Sequence, residues 1–308
     1  MKLAFIFPGQ GSQAVGMGKY FFDNSEIAQG MIKAASQRLG VDFENLLFEE
    51  NDKLGLTEYT QPAILLVSCI ALEIFKTKCN IKPEFVLGHS LGEFSALVAS
   101  GAINYLDAVE LVHKRGLFMT EACAGKGAGM MALVGLDDET VESMCENYRT
   151  EGKKIWAANY NMDGQLVVAG IKADLEATAE SFKEAGAKRA IVLDMSVASH
   201  CELLTSAVEK LNPYLNDYVT DNFETSVISN VSTNAYNTKN DAIDLLSKQL
   251  TSPVKYKQSI RANENVDYFI EFGQGVVLKG INRKVTKTPT LNVSDLKSLT
   301  ATMEKLND

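Results

Sequence analysis

Ser90 lies in the segment GHSLG at residues 88–92, whose spacing of glycine, serine and glycine is typical of a nucleophilic serine on a sharp turn. The apolar residues 85–87 before it predict a buried strand, and residues 93–100 after it predict a helix. Glycines permit the tight turn, and free N–H groups at the start of a helix can hold an oxyanion. The segment therefore predicts acyl transfer through a covalent serine ester, whereas the short pattern alone also fits an ordinary turn.

A serine nucleophile needs a base, and the chain contains three histidines. His89 lies on the predicted turn itself, where its ring cannot easily reach the neighbouring serine. His113 lies in a predicted helix, on a face that we expect to be partly solvated. His200 follows a predicted strand at the start of a helix, and open α/β sheets place active-site residues at such strand ends. Elimination therefore makes His200 the predicted base.

The group that orients His200 is left open by the sequence. Asp194 lies between Ser90 and His200 in the chain, which is the order of the α/β-hydrolase triads. Asp194 also closes the predicted strand only a few residues before the histidine, so a simple capping role explains it too. Both interpretations stand at this point.

Arg115 is predicted to face the protein core. Its helical neighbours at positions 111, 112, 118 and 119 are all apolar. A buried unpaired guanidinium is costly, so Arg115 needs a partner. One interpretation is an arginine that reaches solvent or forms an internal salt bridge. Beside a nucleophile, its planar fork also suits the recognition of an acidic acyl group.

The loop PGQGSQ at residues 8–13 follows the first predicted strand. It lacks the glycine spacing of the phosphate-binding loops. We expect the backbone N–H of Gln10 to act as an oxyanion donor opposite the N–H of Leu91, with an ordinary βα turn as the alternative.

The composition indicates a globular protein with a sizeable core, because 46% of its 308 residues are hydrophobic and 22% are charged. Its formal charge of −9 argues against a nucleic-acid partner. The five scattered cysteines show no metal-binding spacing, so we expect no metal site and reduced thiols. No apolar stretch reads as long enough to cross a membrane and no leader is evident, so we expect no membrane partner and a cytoplasmic location.

Strand-like and helix-like segments alternate, which predicts an α/β fold with a mostly parallel sheet. Strands of this sheet are predicted at residues 3–7, 85–87, 227–231, 268–272 and 290–293, with helices at 62–78, 93–100, 105–123 and 242–250. Between them, strands at 131–136, 155–159, 165–169 and 190–193 and helices at 138–148 and 173–185 give a βαββαβ order. This order predicts a ferredoxin-like insertion at residues 127–194 within a large domain of residues 1–126 and 195–308.

Together these segments resemble the acyltransferase family, and most closely its bacterial malonyl-CoA:acyl carrier protein transacylases. The resemblance covers essentially the whole chain. Its marks, in chain order, are FPGQGSQ (7–13), TQPA (60–63), GHSLGE (88–93), Arg115, GMMALVGL (129–136), NYN (159–161), SVASHC (196–201), QLTSPV (249–254) and EFGQGVVLKG (271–280).

The resemblance implies an α/β-hydrolase-like large domain with a ferredoxin-like small subdomain. It also implies a role for each matching residue. Ser90 is the nucleophile, His200 is the base, and Gln10 and Leu91 form the oxyanion hole. Of the substrate-binding residues, Arg115 binds the malonyl carboxylate, and Gln249 also holds the histidine through its main-chain carbonyl. On this interpretation Asp194 is structural. The implied partners are malonyl-CoA, which is a substrate rather than a cofactor, and acyl carrier protein, used by a monomer in fatty acid biosynthesis.

Three alternatives remain at this stage. A serine thioesterase or esterase would use water as acceptor and Asp194 as the partner of His200, and a binding module would form no ester at all. Ala198 and Ser199 depart from the family pattern, which leaves a preference for a methylmalonyl group open. An acidic carrier protein also requires a local basic patch, for which the candidates are Lys188, Arg189, Lys279, Arg283 and Lys284.

Overall fold

The computed structural model describes residues 1–307, which form two sheets with helices packed around them. The strands are β1 (Leu3–Phe7), β2 (Phe85–Gly88), β3 (Ala128–Val134), β4 (Ile155–Met162), β5 (Gln165–Ile171), β6 (Arg189–Val192), β7 (Ser226–Ile228), β8 (Ala235–Tyr236), β9 (Tyr268–Phe272) and β10 (Thr290–Val293). The helices are α1 (Lys19–Asn24), α2 (Glu26–Leu39), α3 (Phe43–Phe48), α4 (Thr57–Lys76), α5 (Gly92–Ser100), α6 (Tyr105–Cys123), α7 (Asp138–Thr150), α8 (Lys172–Glu184), α9 (Thr205–Tyr218), α10 (Lys239–Thr251), α11 (Tyr256–Ala262), α12 (Val277–Val285) and α13 (Leu296–Asn307).

The larger sheet has the strand order β10-β9-β1-β2-β7-β8. All of its neighbouring strands pair in parallel except β7 and β8, which form an antiparallel edge. All five residues of β1 are buried, as expected for a central strand covered on both faces. The sheet confirms the predicted α/β class, and it brings the carboxyl ends of β1 and β2 side by side, where the nucleophile turn begins.

The smaller sheet has the order β4-β5-β3-β6, and all of its strand pairs are antiparallel. With α7 between β3 and β4 and α8 between β5 and β6, this is the ferredoxin-like arrangement that the βαββαβ order predicted. The elements of this sheet run from Ala128 to Val192. The exact division at residues 126/127 and 194/195 stays a prediction.

Helix α4 begins earlier than predicted, at Thr57 rather than at Pro62. A proline fits the first turn of a helix better than its interior, because it lacks the N–H that an interior position donates. Pro62 has no N–H to donate to the carbonyl of Glu58, four residues before it. In the structure this carbonyl instead accepts a hydrogen bond from Nδ1 of His113 at 2.7 Å. A tertiary contact therefore replaces the missing helical bond and lets the helix pass through Pro62.

The prediction that no apolar stretch is long enough to cross a membrane was wrong on length. Helix α4 has 20 residues and is long and apolar enough to cross a membrane, but 83% of its most apolar stretch is buried inside the fold. Its apolar character is accounted for by packing, chiefly against α6.

The segment after α10 joins the two sheets. Val254 donates its N–H to the carbonyl of Ala158 at 2.8 Å and accepts the N–H of Tyr160 at 2.9 Å, so it extends the smaller sheet along β4. Gln249 lies only a short way upstream in α10. The junction therefore places the end of α10 between the two sheets, beside the nucleophile turn.

Candidate active site

Ser90 lies on the turn between β2 and α5 in a left-handed conformation, with φ of 53°. The flanking glycines are required by space: a Cβ on Gly88 would lie 1.8 Å from the carbonyl carbon of Gly92, and a Cβ on Gly92 would lie 2.0 Å from the carbonyl oxygen of Phe7. Backbone strain of this kind is kept only where neighbouring groups hold it. The turn therefore has the geometry of a nucleophile elbow.

Asn230 is the residue that holds this turn, and the sequence analysis did not identify it. Its Oδ1 accepts the N–H of Ser90 at 2.7 Å, and its Nδ2 donates to the carbonyl of Gly88 at 2.6 Å. The sequence predicted that the strand would continue to residue 231, but β7 ends at Ile228. The chain has left the sheet at Asn230, whose main-chain N–H donates to Oε2 of Glu93 and whose carbonyl accepts the N–H of Lys255 instead of pairing with a neighbouring strand.

Ser90 and His200 are in hydrogen-bond contact. The Oγ of Ser90 lies 2.7 Å from Nε2 of His200, and the histidine is 2% exposed. Nδ1 of His200 lies 2.7 Å from the main-chain carbonyl oxygen of Gln249, to which it donates its proton. This leaves Nε2 as the acceptor that faces the serine hydroxyl.

None of the other sequence candidates for the base and its partner is hydrogen-bonded to the serine–histidine pair. Asp194 is exposed and makes no hydrogen bond with His200. Nε2 of His89 is bonded to Oδ1 of Asn161 at 2.8 Å, which links the elbow to the smaller sheet. His113 contacts α4 through the carbonyl of Glu58, as described above. The arrangement is a serine–histidine pair completed by a main-chain carbonyl.

Burial and the nearby Arg115 cation lower the pKa of His200 to about 3. An ordinary histidine is half protonated near pH 6.5, about the value in an unfolded chain. Because the folded pKa is depressed, His200 stays neutral and able to accept a proton through the whole range above its folded value.

We therefore expect the rate of acyl-enzyme formation not to fall as the pH is lowered from 8 to 5. The measurement is the rate of Ser90 acylation by rapid-quench mass spectrometry across this range, with circular dichroism as the control that the protein stays folded. A loss of half the rate near pH 6.5 would contradict the depressed pKa of His200.

Arg115 lies with its guanidinium directly beside the nucleophile, and it is 1% exposed. Its Nη1 donates to Oε1 of Gln61 at 2.8 Å, and its Nη2 donates to Oε1 of Gln249 at 3.0 Å and approaches Oγ of Ser90 at 3.3 Å. The guanidinium also lies 5.3 Å from the centre of the Phe94 ring. The apolar stripe that the sequence showed around Arg115 is therefore a core-facing one.

The charge on Arg115 persists although the residue is buried. Burial lowers the pKa of Arg115 to about 10, so the guanidinium is cationic at neutral pH. Its hydrogen bonds are to neutral amide and hydroxyl oxygens, and it makes no salt bridge with any residue between 1 and 307. Such a cation, 3.3 Å from the hydroxyl of the nucleophile, is suited to bind the carboxylate of a ligand.

A cavity of about 320 Å³ opens onto Ser90, His200 and Arg115. Gln10 and Leu91 also line it, and neither of their backbone N–H groups donates to an acceptor within the described part of the chain. Two free N–H groups beside a nucleophile are what an oxyanion hole requires. Ser199 lines the same cavity, whereas the neighbouring Ala198 is fully buried and does not line it.

Besides Asn230, three polar side chains that support this site were not identified from the sequence. Gln61 and the side chain of Gln249 supply the amides around Arg115, and Glu93 is completely buried beneath the elbow. The motif TQPA contained Gln61, which was the available signal for it. The five cysteines are unpaired and buried, and residues 1–307 contain no group of three or more potential metal ligands.

Comparison with known proteins identifies the family of this chain. Residues 4–299 match the acyl transferase domain family. This chain belongs to the acyl transferase family. A malonyl CoA-acyl carrier protein transacylase of Bacillus subtilis is 42% identical to this acyltransferase over 312 residues, which cover 100% of this chain and 98% of that protein.

Solved structures agree with this family membership. The malonyl-CoA:acyl carrier protein transacylase of Helicobacter pylori superimposes on the acyltransferase with a TM-score of 0.96 at 44% identity, covering 100% of this chain and 99% of that one. A malonyl-transacylase solved in complex with its type II polyketide synthase acyl carrier protein gives a TM-score of 0.94 at 33% identity, covering 99% and 100%. Both match the two sheets of this acyltransferase together.

Proposed function

We propose that this acyltransferase moves a malonyl group from malonyl-CoA to the phosphopantetheine thiol of acyl carrier protein, through a malonyl ester on Ser90, and so supplies fatty acid biosynthesis. The observation that carries the proposal is the buried Arg115 guanidinium at 3.3 Å from the Ser90 hydroxyl. A nucleophile beside a cation that lacks a salt bridge suits an acyl group with its own carboxylate. The names of the relatives support the same substrate and acceptor.

In the first half-reaction, Nε2 of His200 takes the proton of the Ser90 hydroxyl, and Oγ attacks the thioester carbonyl. The resulting oxyanion is held by the N–H groups of Gln10 and Leu91, each donor being typically worth about 3 kcal/mol of the barrier. The carbon–sulfur bond then breaks, and His200 returns the proton to the leaving CoA thiolate. Arg115 binds the distal carboxylate throughout, which orients the thioester.

In the second half-reaction, the acceptor thiol occupies the place that CoA has left. His200 takes its proton, the sulfur attacks the ester carbonyl, and the Ser90 oxygen leaves and regains the proton. Water at the same place would hydrolyse the ester. His200 is buried and Ser90 is only partly exposed in a small cavity, which supports transfer over hydrolysis.

The main test of this function is the mass of the intact protein after brief mixing with malonyl-CoA, followed by addition of acyl carrier protein carrying its thiol. We expect one malonyl adduct that disappears as the malonyl carrier protein forms. An adduct that decays to free malonate at the same rate with and without the carrier protein would contradict transfer and favour a thioesterase.

The thioesterase alternative gives a second prediction. Asp194→Asn is expected to leave the turnover within about twofold of wild type, because Nδ1 of His200 is bonded to the Gln249 carbonyl and not to this exposed carboxylate. Steady-state transfer assays of the variant and the wild-type protein measure it. A triad carboxylate would instead cost about 10⁴-fold on substitution by asparagine, and a loss of that size would contradict the serine–histidine pair.

The partner, location and division of the chain follow from the same proposal. We expect a cytoplasmic monomer with no metal or redox cofactor, in which residues 127–194 form the small subdomain. Two of the basic candidates for carrier-protein docking, Lys188 and Arg189, are exposed at β6, while Lys279, Arg283 and Lys284 lie along α12. Charge reversal of each group, read as the KM for acyl carrier protein, tests which of them the carrier contacts.

A further inference from the structure

Glu93 is a buried carboxylate that the reaction described above does not use. It lies in the first turn of α5 and has no exposed surface. Its Oε1 accepts the hydroxyl of Tyr236 at 3.0 Å, and its Oε2 accepts the backbone N–H of Asn230 at 3.1 Å and Nε2 of Gln249 at 2.7 Å. A helix-dipole role would not require a carboxylate to be withdrawn from solvent, so its burial calls for another explanation.

The bonds of Glu93 lead to the residues that hold the site. Asn230 holds the Ser90 turn through both ends of its amide. Gln249 accepts Nδ1 of His200 with its carbonyl and Nη2 of Arg115 with its side-chain oxygen. Glu93 is therefore one hydrogen bond away from the supports of the nucleophile, the base and the guanidinium.

The amide of Gln249 connects Glu93 to Arg115 in a single orientation. A carboxylate accepts hydrogen bonds and a guanidinium only donates them, so the NH₂ group must face Glu93 and the oxygen must face Arg115. The reverse orientation would place donor against donor and acceptor against acceptor. Glu93 thus fixes the acceptor that Arg115 meets when the site is empty.

The charges of the two residues compensate one another across this amide. The Glu93 anion raises the pKa of Arg115 against the effect of burial, and the Arg115 cation lowers that of Glu93. A buried cation without any counter-charge would be strongly destabilising. When a ligand carboxylate arrives, however, Glu93 becomes a second anion beside one cation, and it competes with the ligand for the same charge.

We propose that Glu93 is the internal counter-ion of Arg115 and, through the Gln249 amide, sets how tightly the guanidinium binds the carboxylate of the acyl group. Glu93 is in this sense a positioning residue that determines specificity, since it contacts neither the substrate nor the reacting atoms. The inference rests on the proposed function, in which Arg115 receives that carboxylate.

Glu93→Gln separates charge from shape. The glutamine oxygen can accept from Asn230 and Gln249 where Oε2 does, and its NH₂ group can donate to the Tyr236 hydroxyl, which can also accept. The substitution therefore removes the charge and leaves each contact with a possible partner. Removal of a neighbouring charge changes the equilibrium constant for binding at a charged group by about tenfold or more.

The test measures equilibrium binding of malonyl-CoA and acetyl-CoA by calorimetry at pH 8, above the pKa of Glu93, in a Ser90→Ala background, where no ester forms. On adding Glu93→Gln we expect the Kd for malonyl-CoA to fall about tenfold and that for acetyl-CoA to stay within twofold. The matched control adds Tyr236→Phe instead, which removes one bond to the carboxylate but keeps its charge, and its preference for malonyl-CoA should equal that of the background. Equal changes of both Kd values, or a malonyl Kd that is unchanged or higher, would overturn the proposal.

If the Glu93→Gln protein does not fold, the charge of Glu93 can be removed by pH instead of by substitution. Burial raises the pKa of Glu93 to about 7. Two titratable groups face this carboxyl. Arg115 of α6 stays cationic in this range, and Tyr236 of β8 stays neutral because its pKa is well above its usual value. Below pH 7 the carboxyl is protonated, so the preference of the Ser90→Ala protein for malonyl-CoA over acetyl-CoA should increase from pH 8 to pH 6. A constant preference would overturn the proposal. Failure of the proposed function would look different, since wild-type protein would then form no malonyl ester.

Discussion

Ser90→Ala is expected to abolish the malonyl adduct and to reduce transfer to acyl carrier protein by a factor on the order of 10⁴ to 10⁶. The Oγ of Ser90 is the only atom at this turn placed to receive an acyl group, at 2.7 Å from the base and inside the cavity that holds the free N–H groups. Intact-mass spectrometry after mixing with malonyl-CoA measures the adduct, and steady-state assays measure the transfer.

Ser95→Ala is the matched control for this substitution. Ser95 lies in α5, one turn beyond the elbow, is fully buried, and its hydroxyl makes no hydrogen bond within residues 1–307. The control removes the same kind of atom from the helix that follows the elbow, away from the cavity lining, so adduct formation should remain. A malonyl adduct that persists in Ser90→Ala would show that the acyl group is carried elsewhere and would contradict the covalent mechanism.

Arg115→Ala is expected to lower acylation by malonyl-CoA about 10³-fold while acylation by acetyl-CoA changes far less. Loss of one partner from a buried charged pair costs about 2–5 kcal/mol, because the other charge is then left in the cavity without compensation. In this protein the remaining partners of the malonyl carboxylate would be amides and the Glu93 anion, and the anion repels it. The readout is the ratio of the two acylation rates, taken from adduct mass against time.

Arg38→Ala controls for the removal of a guanidinium that contacts the same helix from outside, since Arg38 lies in α2. Arg38 binds Asp107 and Glu110 on the outer face of α6 through exposed salt bridges, so its loss should leave the malonyl to acetyl ratio unchanged. Thermal unfolding of both variants shows whether each is folded at the assay temperature. If Arg115→Ala lowered both acylation rates by the same factor, the guanidinium would be a structural residue and not the reader of the carboxylate.

The elbow could be predicted from the sequence because its requirements are local. A buried strand, a helix and glycines at both ends of five residues leave little room for any other backbone path, as the contacts of Gly88 and Gly92 show. The burial of Arg115 was predictable for a similar reason, since helical periodicity decides which face its apolar neighbours share. The βαββαβ order likewise predicted the smaller sheet.

The sequence could not decide what surrounds these residues. Asp194 satisfied the triad order, yet the acceptor of His200 is a main-chain carbonyl, and a carbonyl leaves no trace in residue type. The start of α4 was misplaced because the contact that permits Pro62 comes from His113 on another helix. Only the folded chain brings such a partner within bonding distance.

What the sequence by itself determined is therefore the class of chemistry and the elements that carry it: a serine on a strand–turn–helix, a histidine at a strand end, and an arginine on a buried helical face. What only the tertiary structure decided is the set of partners that give these groups their properties. Glu93 and Gln249 lie 156 positions apart in the chain but meet at 2.7 Å. Hydrogen bonds and charge interactions act over a few ångströms in space, so their strength depends on the packing of the two sheets and not on spacing along the chain.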